Sequence, residues 1–426
     1  MRRFTEKLFP VYRHEWPKAL VLLAVSTLLG MAFSISRTSA EALFLTRFGV
    51  EFLPYLMLVN PVLIVAASVL YGIYAEWVSN DRMLVYTAVL PLPIIVLMRV
   101  LILLEANWVY FLLYTLVLAY GAVLFTSWTV YLSGHYDVQE AKRLVPFITS
   151  GLLLGAVLGG GSVAVCAPWI GVANVLFLWV GTLLGVAGVV WWIAQRFTAL
   201  ETESRKVKRS TKQPGLWQNF TEGMTFLRTS SLVMTATMVT IATMLALQFF
   251  DYEYSKIFAQ AYPQPAALAA FLGIFDGLTT MVALLLQWFV IPSCIRHFRV
   301  QGTNVLFPYA LTVAFGGMLL APTLITAMGG RFTRMGLAPS LRGTTVNLML
   351  NAVPRKMAVR VRSFNTGVAV PVGQGLGACL LVALQGFGVP LLFPALGLLA
   401  SVVVVWLAHR QNRAYGEALL GLLRED

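Results

Sequence analysis

The 426-residue chain is poor in charge: Asp, Glu, Lys and Arg together make up 12% of it, and only 18 residues are acidic. A water-soluble domain devotes roughly a quarter of its residues to charge, so a surface built from half that supply faces something other than water. Cysteine is scarce too, with Cys166, Cys294 and Cys379 each inside an apolar stretch. That number and spacing exclude a disulfide scaffold and a clustered thiolate site, and the three are expected as buried small hydrophobes. The histidines, His14, His135, His297 and His409, are scattered without metal-ligand spacing, so no metal site is expected. Enzymatic motifs are missing: no Gly-rich loop ends in Gly-Lys-Ser/Thr, and there is no His-Glu-x-x-His and no nucleophile elbow. The sequence therefore predicts neither an enzyme nor a resident cofactor. Residues 1–18 are polar and basic without a short apolar core, so no cleavable signal peptide is expected.

What is abundant is apolar. Hydrophobic residues are 58% of the chain and mean hydropathy is +0.78. Runs of about 20 apolar residues mark membrane-spanning helices, and twelve are expected, near 19–46, 53–75, 83–104, 108–133, 144–167, 171–195, 231–259, 265–292, 303–327, 332–353, 363–385 and 389–408. The formal charge of +13 could suggest nucleic acid, but 24 of the 31 Lys and Arg fall in the termini and alternate connections. The positive-inside rule makes that a topology signal: both termini and the central loop are expected in the cytoplasm, with the chain in the inner membrane and no nucleic-acid partner. The expected fold is an all-α polytopic membrane protein with twelve transmembrane helices in two pseudo-symmetric six-helix bundles, 1–195 and 230–426, joined by a basic cytoplasmic linker, 196–229. This arrangement resembles that of the major facilitator transporters.

An internal repeat supports the division. Residues 142–159 read KRLVPFITSGLLLGAVLG and residues 360–377 read RVRSFNTGVAVPVGQGLG. Each opens on basic residues, passes a Thr and a Gly, and ends Gly-rich, at the start of the fifth and the eleventh span. The glycines are expected to let helices approach closely, and two related bundles suit alternating access about a site at the membrane midplane.

Ionisable groups at membrane depth cost roughly 2.5–3.5 kcal/mol each on insertion scales, so they mark pairs or pathways. The first span carries Arg37 and Glu41 at i, i+4, able to pair. The seventh carries Asp251, Glu253 and Lys256, with Glu253 and Lys256 at i, i+3, and the eighth carries Asp276. Arg99 is expected as an interfacial anchor beside Glu105. Arg331 and Arg334 are expected at the outer end of the tenth span, with Arg342 deeper. Asn347 and Asn351 follow on that helix and are expected to hydrogen-bond between helices.

Two stretches resemble the ATP/ADP translocase family of obligate intracellular bacteria and plastids. One is His135-Tyr-Asp-Val-Gln-Glu-Ala-Lys-Arg143 followed by Leu-Val-Pro146 and the Gly-rich helix. The other is Asp251–Pro263 followed by Ala-Ala-Phe-Leu-Gly273. The resemblance implies a major-facilitator-like fold and exchange of adenine nucleotides through charged residues of the first, fourth, seventh and eleventh helices. Position by position, the family's first-helix Arg falls on Arg37 and its acid on Glu41, its seventh-helix acid on Asp251, and its basic pair on Arg360 and Arg362. Its functional Lys falls on Ala40 and its fourth-helix acid near Val117, so the chain looks like a divergent branch.

The expectation is a secondary transporter moving a small anionic solute, nucleotide-like in class, with a proton or a counter-substrate as coupling partner and the lipid bilayer as surroundings. Arg37, Glu41, Asp251, Glu253, Lys256, Arg342, Arg360 and Arg362 are the expected substrate-binding set. The competing expectation is a non-transporting membrane module that binds a partner protein or anionic lipid through the basic run Arg205–Lys212.

Overall fold

The computed structural model describes Tyr12 and residues 15–75, 77–104, 106–136, 138–196, 230–353, 361–362, 364–389 and 391–425. Residues 197–229 of the expected linker, Glu105 and Arg360 lie outside the described residues. Apolar runs form α1 (Trp16–Leu43), α2 (Leu53–Ala75), α3 (Asn80–Val89), α4 (Pro91–Leu103), α5 (Trp108–Ser133), α6 (Val138–Ile170) and α7 (Val172–Arg196). In the second half come α8 (Ser231–Ala261), α9 (Pro265–Leu285), α10 (Ile291–Leu320), α11 (Leu324–Phe332), α12 (Gly343–Met349), α13 (Val370–Leu384) and α14 (Leu392–Glu425). Prolines open α1, α4 and α10 at N1 or N2, where the missing N–H has no intrahelical partner to lose.

Among the described residues ten helical stretches are long and apolar enough to cross a membrane. One, Pro265–Leu320, has 56 residues, more than twice the roughly 20 a crossing needs. Its backbone breaks at Arg299 (φ 56°, ψ 177°), so it covers the eighth and ninth expected spans. The helical run from Leu324 to Ala352 matches the tenth expected span, and three arginines keep it out of the apolar set.

One boundary differs from expectation in a way that matters. The ninth span was drawn through 327, but the helix stops at Leu320 and a new one starts at Leu324. Pro322 disfavours a helical residue before it, and Thr323 then caps α11 in a reciprocal box with Thr326. Arg331 and Arg334 consequently lie inside a helical segment that began earlier, not at its outer end. The segment continues as a ten-residue π-helix, Thr333–Arg342, which contains Pro339. The wider i→i+5 turn accommodates a ring that crowds the preceding turn of an α-helix.

The described residues divide into two compact units: those of Met1–Gly49, Leu63–Lys212 and Tyr262–Met281, and those of Val50–Val62, Gln213–Ala261 and Val282–Asp426. In the first, α1 and α6 meet through glycines. A Cβ on Gly151 would lie 2.6 Å from Leu23 O and one on Gly159 2.7 Å from Met31 O, while Gly155 rests on Thr27 O. Ser34 Oγ donates to Ala156 O at 3.0 Å across the same seam. At the start of α1, Glu15 pairs with Arg143 of α6, and Lys18 Nζ donates to His135 O at 2.6 Å.

In the second unit α13 lies on α8 in the same manner. A Cβ on Gly373 would be 2.5 Å from Ile241 O, and one on Gly377 3.0 Å from Leu245 O. Gly155 and Gly373 align in the sequence repeat, as do Gly159 and Gly377, so the repeat corresponds to one shared way of packing. Thr237 Oγ1 donates to Asn365 Oδ1 (2.8 Å), just ahead of α13. The α14 helix runs on to Glu425, well beyond the expected span end at 408. Asn304 of α10 explains part of this, donating to Gln411 Oε1 and Asn412 Oδ1 at 3.2 and 3.1 Å.

The cysteines depart from expectation. None is fully buried, and Cys379 is exposed on α13. In a chain whose outer surface meets lipid, an apolar residue has no need of burial in protein.

Candidate functional site

In the first unit α1 carries Arg37 and Glu41 one turn apart, and Arg37 Nε lies 4.0 Å from Glu41 Oε2. Glu41 is only 3% exposed. Ala40 and Val117, the positions where the family resemblance puts a Lys and an acid, are completely buried among packed side chains. These two positions contribute packing here rather than charge.

The second unit concentrates charge. Asp251 of α8 accepts a hydrogen bond from Tyr254 OH at 2.7 Å and pairs with Arg334, whose Nε lies 3.3 Å from Oδ1 and 3.4 Å from Oδ2. Arg334 stands on the π-helix, and so does Arg342, whose guanidinium is repelled by it. No described residue hydrogen-bonds or pairs with the Arg342 guanidinium, and its Nε is shut away from solvent. Arg331, on the preceding turn, is completely buried, with its guanidinium 5.3 Å from the Tyr254 ring centroid and 5.9 Å from that of Phe258. Planar stacking on aromatic faces suits arginine, which is weakly hydrated and always charged.

Glu253 is buried at 4% exposure, and its Oε1 has no hydrogen-bond partner. Lys256 attracts it electrostatically, but no ion pair within 4.0 Å joins the two among the described residues, so the salt bridge that i, i+3 spacing permits is not formed. Arg362 is engaged elsewhere: its Nη2 donates to Asn347 O at 3.2 Å and Asn351 Oδ1 at 3.0 Å, tying the approach to α13 to the end of α12. Arg99 donates through Nε and Nη2 to Asn174 Oδ1 at 3.0 and 2.6 Å, an anchor to α7. Asp276 is half-buried on α9.

The structure thus joins Asp251 and Arg334, with Arg342 eight residues further along the same π-helix and Glu253 and Lys256 on α8. Arg331 and Arg334, expected at a helix end and outside the substrate-binding set, lie inside the helical run that begins at Leu324. Along α8 and the Leu324–Arg342 run stand four cations (Lys256, Arg331, Arg334, Arg342) and two acids (Asp251, Glu253). The arrangement has cationic excess, and two guanidinium groups with donors to spare can hold an oxyanion.

Outside the spans, the turn between α5 and α6 carries His135 and Tyr136. His135 Nδ1 lies 3.0 Å from Tyr131 O, and burial holds the ring's pKa below the ordinary histidine value, with Lys18 adding to the depression. Burial, with Glu140 and Glu15 nearby, pushes the Tyr136 phenol up. No cluster of three His, Cys, Asp or Glu suited to a metal exists among the described residues.

No protein-family model matches the chain, and no curated protein matches it in sequence. Solved structures do. A mutant of the nucleoside transporter NupG is 11% identical with a TM-score of 0.71, over 92% of this chain and 99% of that one. A D-xylose-proton symporter is 12% identical with a TM-score of 0.63, over 91% and 97%. An auto-inhibited POT family peptide transporter is 11% identical with a TM-score of 0.61, over the same shares. These solved structures are transporters rather than enzymes. The likeness establishes the fold: an all-α, multi-pass membrane protein of the major facilitator type.

Proposed function

We propose that this chain is a secondary transporter that moves a small organic anion, nucleotide-like in class, across the inner membrane by alternating access. The observation that carries the reading is the pair Arg334 and Arg342 on one helical stretch of a membrane protein, with Asp251 paired to Arg334 and no hydrogen-bond or ion-pair partner for the Arg342 guanidinium among the described residues. Cations at membrane depth are costly to maintain, and a scaffold has little use for them. The fold neighbours named above carry nucleosides, a sugar with a proton, and peptides, which supports transport of a small solute.

On this reading both termini face the cytoplasm, as the distribution of Lys and Arg indicates, and the six-helix halves 1–195 and 230–426 flank the basic linker 196–229. Arg37 and Arg342 attract anionic groups, joined by Arg360 and Arg362 where the eleventh span opens. Asp251, Glu41 and Glu253 balance them, and Lys256 adds a further cation on α8. The coupling partner is a proton or a counter-substrate. Kinship with ATP/ADP exchangers rests on the stretches around Arg143 and Asp251, against the missing charges at Ala40 and Val117.

The experiment is uptake of labelled ATP into proteoliposomes preloaded with ADP, phosphate or buffer alone. Stimulation by internal ADP supports nucleotide exchange without the two family charges. Uptake absent under every preload, with folded protein verified, removes adenine nucleotides and turns the search to other organic anions.

A further inference from the structure

Three features of the second unit belong together. Arg334 reaches Asp251 only through Nε, and its contacts of 3.3 and 3.4 Å are longer than the roughly 2.7–2.9 Å of a strong charge-assisted bond. Its two terminal nitrogens, the end-on fork that grips carboxylates and phosphates in bidentate fashion, have no partner among the described residues. The Asp251 carboxylate is held more closely by Tyr254 OH, at 2.7 Å, than by the arginine.

The second feature is Arg342. It stands eight residues from Arg334 on the same π-helix, about two turns away. The two guanidinium groups repel each other, and no described residue engages Arg342. The third is Arg331, three residues before Arg334, fully buried and stacked on Tyr254. Its guanidinium thus lies over the ring of the same tyrosine whose hydroxyl holds Asp251.

Resting on the anion-transport reading above, we infer that the ligand's oxyanion group, a phosphate or a carboxylate, docks on the free fork of Arg334 and on Arg342, and that Asp251 is a built-in counter-ion that weakens this grip. Asp251 stays on its tyrosine and beside the arginine whether or not ligand is bound. A site of two arginines alone would hold an anion too firmly to release it; a fixed carboxylate lowers the affinity without blocking the fork. The class of solute is thereby narrowed to one with a compact oxyanion group able to bridge two guanidinium groups. Arg331 is a positioning residue that acts through Tyr254.

The test uses the full chain purified in detergent, with pyrophosphate and citrate as probes at constant ionic strength and the shift of the thermal unfolding midpoint as readout of affinity. Asp251→Asn, which can still accept from Tyr254, is expected to bind one of the probes about tenfold more tightly than wild type, and Arg342→Gln and Arg334→Gln about tenfold more weakly. Should the arginine variants not fold, labelling of wild type with phenylglyoxal serves instead. The probe that binds is expected to protect Arg334 and Arg342 severalfold and leave the exposed Arg47 unprotected. Equal or weaker binding by Asp251→Asn, or no protection of Arg334, overturns the inference, and if anion uptake persists the transport reading stands. Neither probe binding while labelled-anion uptake is intact has the same consequence; neither binding nor uptake removes both.

Discussion

Arg37 and Asp251 occupy the same register position in the two halves of the chain. Gly159 rests on Met31 and Gly377 on Leu245, and six residues beyond Met31 is Arg37 while six beyond Leu245 is Asp251. The same way of packing two helices thus presents a cation in one half and an anion in the other. Each is paired locally, Arg37 with Glu41 and Asp251 with Arg334. The two halves thus share the packing at this position and differ in its charge.

The glycine seams give the most direct prediction about the fold. Gly159→Ala and Gly373→Ala place a methyl 2.7 and 2.5 Å from backbone oxygens, and each should cost about 1–3 kcal/mol through overpacking. Gly161→Ala and Gly375→Ala meet nothing within 4 Å and should be neutral or slightly stabilising, since alanine is the better helix former. Unfolding midpoints of the four purified variants separate the two classes.

Arg331 and Arg342 should respond differently to lysine. Arg331→Lys keeps the charge but loses the planar stack on Tyr254 and Phe258, worth about 1–2 kcal/mol in a desolvated setting. Its unfolding midpoint should fall clearly. Arg342→Lys loses no hydrogen bond or ion pair to a described residue, so stability should hold while anion affinity declines.

Histidine 135 predicts a pH dependence. Its pKa is depressed in the folded chain from an unfolded value of 6.5, so the unfolded chain binds the proton more readily. Stability should be level above about pH 6.5 and fall as pH drops through that value toward the folded pKa, where the loss levels off. His135→Asn should flatten this component in unfolding midpoints measured from pH 8 to pH 5.

Arg299 has φ 56° and ψ 177°, a conformation at home only for glycine and costing of order 1–3 kcal/mol otherwise. It is exposed and its backbone carbonyl accepts from Thr303 Oγ1, a bond any residue keeps. Arg299→Gly should therefore raise the unfolding midpoint, by an amount corresponding to about 1 kcal/mol.

Most of the architecture was legible because membrane helices advertise themselves by apolar length, and the aligned glycines announced their packing. The error at Pro322 shows where such reading fails. Hydropathy barely changes across Leu320–Leu324, so the ninth span was drawn through a helix break that backbone chemistry enforces. The tenth was then started at 332, which put Arg331 and Arg334 at a helix end and hid the partner of Asp251. The i, i+3 spacing of Glu253 and Lys256 permitted a salt bridge but did not compel one, because side-chain direction also depends on what packs against the helix. Arg362 illustrates the same limit: the sequence shows a basic residue but not its hydrogen bonds to Asn347 and Asn351, which close a helix end.

The central claim is that Arg342 serves an anionic solute rather than the fold. The measurement is initial uptake of labelled organic anions, ATP included, into proteoliposomes holding equal amounts of folded wild type or Arg342→Gln. Saturable uptake of at least one anion by wild type is expected, reduced at least tenfold in the variant, with unchanged unfolding midpoints. Saturable uptake at the same rate in both proteins, or none by folded wild type for any anion, contradicts it.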